Sequence, residues 1–336
     1  MFLIEYFTMK ELMKKICVVG AGRWGKNHVK TLKKLGWLGG IIDNRSDQRA
    51  VLSLEFPEIP IYSNVRDSIK DGFDGYTVAT PAETHYEIAS YLLKNKKPVL
   101  VEKPLTLTSK ESIELDSLAN KNNTLLMVGH VMLFHPAIQK IKELIDLGKF
   151  GKLQYIYSNR LNLGTVRKEE NILWSFAPHD ISIFQYLIDA KPKEVISRGG
   201  AFLQNGIHDT TMTILTYPNN IIGHIFVSWL HPFKEHRIVI VGSNGMITFE
   251  DSLEGKPLLF YEKGIDWVKG EPIKRDGPTE QIAYDSTMPL TRELQFFCDN
   301  LNNPNIAIAN GKNAIEVLEI LENASADLKK DLYVEK

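Results

Sequence analysis

Cysteine is nearly missing from this sequence: Cys17 and Cys298 are the only two in 336 residues. Neither belongs to a CxxC pair or lies near a histidine pattern, which excludes a disulfide framework and a zinc site and leaves two buried thiols of a reducing compartment. An excess of either charge is missing as well. Forty basic residues face forty-one acidic ones, for a net charge of −1, with no lysine or arginine block. A phosphate backbone is bound by clustered cations, so nucleic acid is excluded as the main partner. The opening MFLIEYFTMKELMKK has too short an apolar run for a membrane span and lacks a basic region and a cleavage site. A cytoplasmic protein is therefore expected, its first dozen residues a frayed helix or a misassigned start, with Met9 and Met13 as alternatives. The remaining histidines His208, His224, His231 and His236 are too irregularly spaced for a metal set, so a metal-free chemistry is expected.

What is present points to a globular chain of about two domains, 43% hydrophobic and 24% charged. From residue 15 to about 128, short apolar runs (KICVV, GGIID, GYTVAT, PVLVE, TLLMVG) alternate with helical patterns. Such alternation predicts βαβ units and a doubly wound parallel sheet, giving a first domain over 14–128. A helix from His135, which caps it, leads into long alternating runs: LQYIYSNRL, KEVISRGGAFL, HDTTMTILTY, NIIGHIFVSWL and RIVIVGS. With turn signals between them, these predict an antiparallel sheet and a second, α+β domain over 129–336. One helix is expected inside it at roughly 176–188, a loop over the site at 262–287, and two closing helices.

The first strand runs straight into GAGRWG, a GxGxxG at Gly20, Gly22 and Gly25, and Asp43 ends the second strand about twenty residues on. Glycines there let backbone N–H groups approach a pyrophosphate at a helix start, with Arg23 and Trp24 inside the turn, and Asp43 can bind a ribose 2′-hydroxyl. A carboxylate would repel a 2′-phosphate, which favours NAD over NADP; Arg45 keeps NADP as the minority reading. ATPAETH closes the fourth strand: Thr80 and Pro81 bend over the cofactor, Thr84 caps the next helix, and His85 is either a polar residue of the first helical turn or a nicotinamide contact. His130, after the sixth strand, is a further candidate for the cofactor. The fifth strand ends in an unusual way, as VLVEKP, with Glu102 and Lys103 where a ligand crevice is expected. Lys103 there can donate to a hydroxyl and stabilise developing alkoxide charge, while Glu102 offsets its charge.

GAGRWG, Asp43, ATPAETH, VEKP and the later APHD together resemble the Gfo/Idh/MocA oxidoreductases, over nearly the whole chain from residue 14. The resemblance implies a Rossmann domain joined to an α/β domain with an open, mainly antiparallel sheet that packs between subunits of a dimer or tetramer. It implies a cis Lys103–Pro104 bond, a catalytic or substrate-binding Lys103, and His179 of APHD as the general base that takes the hydroxyl proton. Many relatives carry Asp four residues before that histidine; here it is Ser175, and the adjacent Asp180 is expected to orient the imidazole or bind substrate.

Ahead of His179, SNRLNLGTVRKEENILW supplies Arg160, Asn162, Arg167 and Asn171, cations and amides suited to a diphosphate and sugar hydroxyls. Trp174 is either a wall of the nicotinamide pocket or a core residue. This segment is similar to the branch acting on nucleotide sugars such as UDP-N-acetylglucosamine. Two alternatives stand beside it: a dehydrogenase of a free sugar or cyclitol, and a non-catalytic NAD-binding regulator of the same fold. Arg160 and Arg167 separate the nucleotide sugar from the free sugar: lining the crevice they imply a diphosphate, and pointing to bulk solvent a small polyol.

Overall fold

A computed structural model describes residues 14–331, so the reading of the first dozen residues lies outside the described part. The chain divides into two compact units, the residues up to Val131 with Met288–Ile315, and Met132–Thr287 with the chain from Glu316.

The first unit runs β1 (Ile16–Val19), α1 (Gly25–Leu35), β2 (Leu38–Ile42), α2 (Ser46–Glu55), β3 (Ile61–Tyr62), the one-turn α3 (Val65–Ser68) and β4 (Gly75–Val78). It continues through α4 (His85–Lys94), β5 (Val99–Glu102), α5 (Ser109–Asn122) and β6 (Leu126–Gly129). All six strands are parallel, in the order β3-β2-β1-β4-β5-β6. Strands β1, β4, β5 and β6 are buried along their whole length, which is why they read as unbroken apolar runs. The strand order reverses between β1 and β4, the place where open sheets of this kind bind dinucleotides.

The second unit holds α6 (Pro136–Asp146), β7 (Leu153–Leu161), α7 (Ile172–Ile188), β8 (Glu194–Gly200), β9 (Thr210–Thr216), β10 (Ile222–Ser228), β11 (Glu235–Gly242), β12 (Met246–Glu250), β13 (Leu258–Val268) and β14 (Glu271–Gln281). Its eight strands are ordered β14-β13-β12-β11-β7-β10-β9-β8, and every described pairing is antiparallel except β7 with β10. Helix α7 lies on one face: a side chain at Gly223 of β10 would meet Phe184 of α7 at 3.0 Å. The opposite face carries a row of registered neighbours, Ile196, Ile214, His224 and Tyr157, with Ile222 beside Tyr155. Of these, Ile196, Ile214, Ile222 and Tyr155 are exposed.

Three expectations are corrected. The stretch 262–287 is mostly not a loop; β13 and β14 form a hairpin that turns at Lys269 and Gly270, both at positive φ. Pro272 fits within β14 because β14 is an edge strand, where a missing N–H is tolerated. Helix α7 starts at Ile172 rather than near 176, because the side chain of Asn171 accepts the N–H of Trp174 at 3.1 Å and caps it. The second domain does not run unbroken over 129–336, since α8 (Pro289–Asp299) and the start of α9 (Gly311–Asp331) belong to the first unit. Phe297 and Leu301 close on β4 so tightly that a side chain at Gly75 would meet them at 3.1 and 2.7 Å. Among the described residues no helix is long and apolar enough to cross a membrane.

Candidate active site

In the first unit, the turn after β1 is shaped by its glycines. Gly20 sits at φ +88, and a side chain at Gly25 would lie 1.8 Å from the carbonyl oxygen of Gly20, so both positions require glycine. Above Gly22 there is nothing within 4 Å, leaving the open approach to the start of α1 that a pyrophosphate needs. Asp43 closes the turn from the side, accepting the N–H of Ala21 at 3.1 Å. It also accepts Arg45 Nε at 3.0 Å and Nη2 at 3.0 Å. Burial pushes the Asp43 carboxyl up, but these bonds outweigh it and hold the group below its usual range. The residues present therefore fit a dinucleotide, with Arg45 taken up by Asp43.

Strand β5 delivers Glu102 and Lys103 beside that turn, and the Lys103–Pro104 bond is cis, as the resemblance implies. Trp24 donates its indole N–H to Glu102 Oε1 at 2.6 Å, and His28 Nε2 of α1 lies 2.9 Å from the same oxygen. Burial raises the Glu102 carboxyl, yet His28, Trp24 and the Lys103 charge together hold it below the usual carboxylate range. Glu102 is thus a buried anion that ties the glycine turn to the residue before Lys103.

Of the other expected cofactor contacts, Thr80 lies against the turn, its methyl 2.7 Å from where a side chain on Gly20 would begin. Pro81 is exposed. Thr84 does not cap α4; its hydroxyl donates to the Pro81 carbonyl at 2.7 Å instead. His85 opens α4, as the first of its two readings has it: its Nδ1 lies 2.8 Å from the carbonyl oxygen of Pro104 and its Nε2 2.9 Å from that of Thr80, so both ring nitrogens are occupied. Arg23 is exposed. His130 is buried, with neither ring nitrogen hydrogen-bonded, and burial pushes it down to about 4 despite the nearby Glu102 charge.

In the second unit, β7 supplies Arg160 and α7 supplies Asp180, and the two meet in a buried two-pronged ion pair: Nε to Oδ2 at 2.7 Å, Nη2 to Oδ1 at 3.0 Å. Burial works against the charged guanidinium, but Asp180 overcomes it and raises Arg160 above its ordinary value. This corrects two expectations: Arg160 is not a free cation for a diphosphate, and Asp180 holds Arg160 with both oxygens rather than orienting His179. Arg167 is exposed and pairs with Glu170 at 2.9 Å. Asn162 is half-buried just past β7, its N–H donating to the Ser228 carbonyl at 3.0 Å. Trp174 donates its indole N–H to Ser325 at 2.8 Å and lines, with Asn171 and His208, a cleft of about 420 Å³. His179 lies inside α7, not at its start, half-buried and one turn beyond the buried Ser175. His135 caps α6 as expected, its Nδ1 accepting the N–H of Ala137 at 3.1 Å.

The sequence reading missed His28 and Glu293. A histidine three residues after the glycine turn, on the inner side of α1, was the available signal for the first. Glu293 gave none, since its helix was assigned to the other domain. Among the described residues no group of three or more metal-ligating side chains is arranged to hold an ion.

Residues 14–130 match the family model described as "Oxidoreductase family, NAD-binding Rossmann fold", and 138–248 match the GFO/IDH/MocA C-terminal domain. The chain is 24% identical to UDP-N-acetylglucosamine 3-dehydrogenase of Acidithiobacillus ferrooxidans over 83% of its own length and 86% of that protein. It is 28% identical to scyllo-inositol 2-dehydrogenase (NAD(+)) of Bacillus subtilis, covering 69% of this chain and 72% of that one. A solved structure of the Acidithiobacillus ferrooxidans enzyme shares the fold with a TM-score of 0.83 at 21% identity, covering 96% and 99% of the two chains. An oxidoreductase from Agrobacterium radiobacter, solved with NAD+, L-tartaric acid and magnesium, shares it with a TM-score of 0.79 at 17% identity, covering 95% and 97%. The glycine turn, the cis Lys103–Pro104 strand end and both matching domains make this chain a member of the Gfo/Idh/MocA oxidoreductase family, with an NAD-binding Rossmann domain.

Proposed function

We propose that the protein oxidises a secondary hydroxyl of a nucleotide sugar of the UDP-N-acetylglucosamine kind, at carbon 3, to a ketone. The observation that carries this reading is Lys103 at the carboxyl end of β5, next to the buried anion Glu102 and in the same unit as the glycine turn. Bound NAD supplies the hydride acceptor. Lys103 donates to the substrate hydroxyl and stabilises alkoxide charge as the proton leaves; His179 takes that proton. Gly20, Gly22 and Gly25 receive the pyrophosphate, and Asp43 the adenosine ribose. The similarity to UDP-N-acetylglucosamine 3-dehydrogenase, over more than four-fifths of both chains, supports the substrate class.

A second reading, a cyclitol or free sugar, is favoured by Arg160, whose charge is neutralised inside the fold by Asp180, and by Arg167 turned to solvent against Glu170. It is also favoured by the similarity to inositol dehydrogenases. Measuring NADH formation with a panel of UDP-sugars and free polyols separates the two: turnover with UDP-N-acetylglucosamine supports the first, and turnover confined to inositols replaces it with the second.

The protein also works as a homodimer or homotetramer in this proposal. The exposed apolar row Ile196, Ile214, Ile222 and Tyr155 is one side of an eight-stranded sheet, a surface that a second copy would cover. Light scattering that gives a stable monomer at micromolar concentration would remove this part.

A further inference from the structure

Glu293 of α8 is 0% exposed, and neither of its carboxyl oxygens has a hydrogen-bond partner. An ionised carboxylate in that state is costly, so such a group either holds a proton or shares one with a neighbour. Its neighbours form a set. Glu102 of β5 lies close enough to repel a charge on Glu293, and α1, which carries His28, packs against α8. The same Glu102 receives His28 Nε2 and influences His130. His28 Nδ1 and both nitrogens of His130 lack hydrogen-bond partners too, which brings the orphaned buried atoms around one carboxylate to five. Buried polar atoms orphaned singly are rare, and five in the surroundings of Glu102 call for a physical reason.

We propose that Glu293 is a positioning residue, held as the uncharged acid behind Glu102, so that the end of β5 presents one negative charge to Lys103 and the cofactor rather than two. The proposal rests on the reading of Lys103 as the working cation of the site. Two carboxylates side by side would repel, displace Glu102 from Trp24 and His28, and loosen the turn that Trp24 belongs to. With Glu293 neutral, Glu102 keeps both bonds. Burial first, and then the Glu102 charge, push Glu293 well above the ordinary carboxylate range, which agrees with the geometry. Of the charged groups around it, Glu102 at the end of β5 is the one whose charge acts on Glu293, and α1, which packs against α8, carries His28.

The sign follows from linkage. A carboxyl whose folded value is raised binds its proton more tightly in the native state, so stability falls as pH climbs through the window between the unfolded and folded values. The Glu293→Gln variant keeps the shape and neutrality of the protonated acid and cannot ionise. NAD binding and the urea midpoint are measured from about pH 6 to pH 9, a range in which buried glutamates are known to titrate. The parent should lose affinity and stability as pH rises, while Glu293→Gln binds NAD within about threefold of the parent at the low end and loses much less of both at the high end. A loss of about tenfold or more in NAD affinity for Glu293→Gln at pH 6 would overturn the proposal, because it would mean a negative charge is required. Superimposable pH profiles of parent and variant, together with no protonated-carboxyl band in the parent, would overturn it equally. Infrared spectra of the parent alone give a check that needs no variant: a protonated-carboxyl carbonyl band should persist at neutral pH in the folded protein, and its absence would refute a neutral Glu293. None of these readouts uses turnover, so failure of the substrate assignment leaves them intact, and their failure leaves it standing.

Discussion

Trp24, in the glycine turn, gives its indole hydrogen to Glu102, at the end of β5, across 2.6 Å. The bond links the two segments that chemistry requires to act together, the dinucleotide turn and the strand end before Lys103. A hydrogen bond to a buried charged group contributes about 1.5–3 kcal/mol, so Trp24→Phe, which keeps the ring and loses the donor, should destabilise the protein by that amount. Urea denaturation checks it, and Trp24→Phe should also weaken NAD binding, since the turn loses its tether.

Asp43→Ala should weaken NAD far more than NADP, because the ribose loses its acceptor while Arg45, freed from its bonds to Asp43, can meet a 2′-phosphate. Cofactor titrations decide this. Equal loss of both cofactors would defeat the role given to Asp43.

His130 sets a pH dependence. It is held neutral down to about 4, and an unfolded histidine titrates near 6.5, so between those values the unfolded chain binds a proton that the folded chain refuses. Stability should therefore fall as pH drops from about 6.5 towards 4, by up to about 3 kcal/mol from this group. The urea midpoint against pH should show that slope, and His130→Phe should flatten it.

Breaking the buried Arg160–Asp180 pair on one side should be costly. Arg160→Met or Asp180→Leu alone leaves an uncompensated buried charge and should cost about 3–5 kcal/mol, whereas the double variant should recover most of it. Thermal or urea unfolding of the three variants reads the coupling.

Much of the first unit was legible in the sequence because each of its signals is local. GAGRWG follows its strand directly, and Asp43 closes the next one within one βαβ unit. The second unit was legible in its alternating strands, and less so where edges relax the rules, as at Pro272 in β14. The contacts that local reading could not supply are the long-range ones. Arg160 and Asp180 are 20 residues apart and meet only because α7 lies on the sheet. Glu293 reaches the Glu102 neighbourhood because α8 returns to the first unit, and His85 is occupied by Pro104, 19 residues on. For Arg160, Asp180 and His85, a polar residue that reads as a free binding group is held by a partner distant in sequence.

In the proposed function, Lys103 donates to the substrate hydroxyl and His179 takes its proton. The measurement is NADH formation at saturating substrate by the parent, Lys103→Met and His179→Ala, with NAD affinity measured alongside. His179→Ala should bind NAD normally and lose turnover on the order of 10²–10⁴-fold, and Lys103→Met should lose a comparable amount. Turnover within about threefold of the parent in either variant would contradict the acid–base role assigned to that residue.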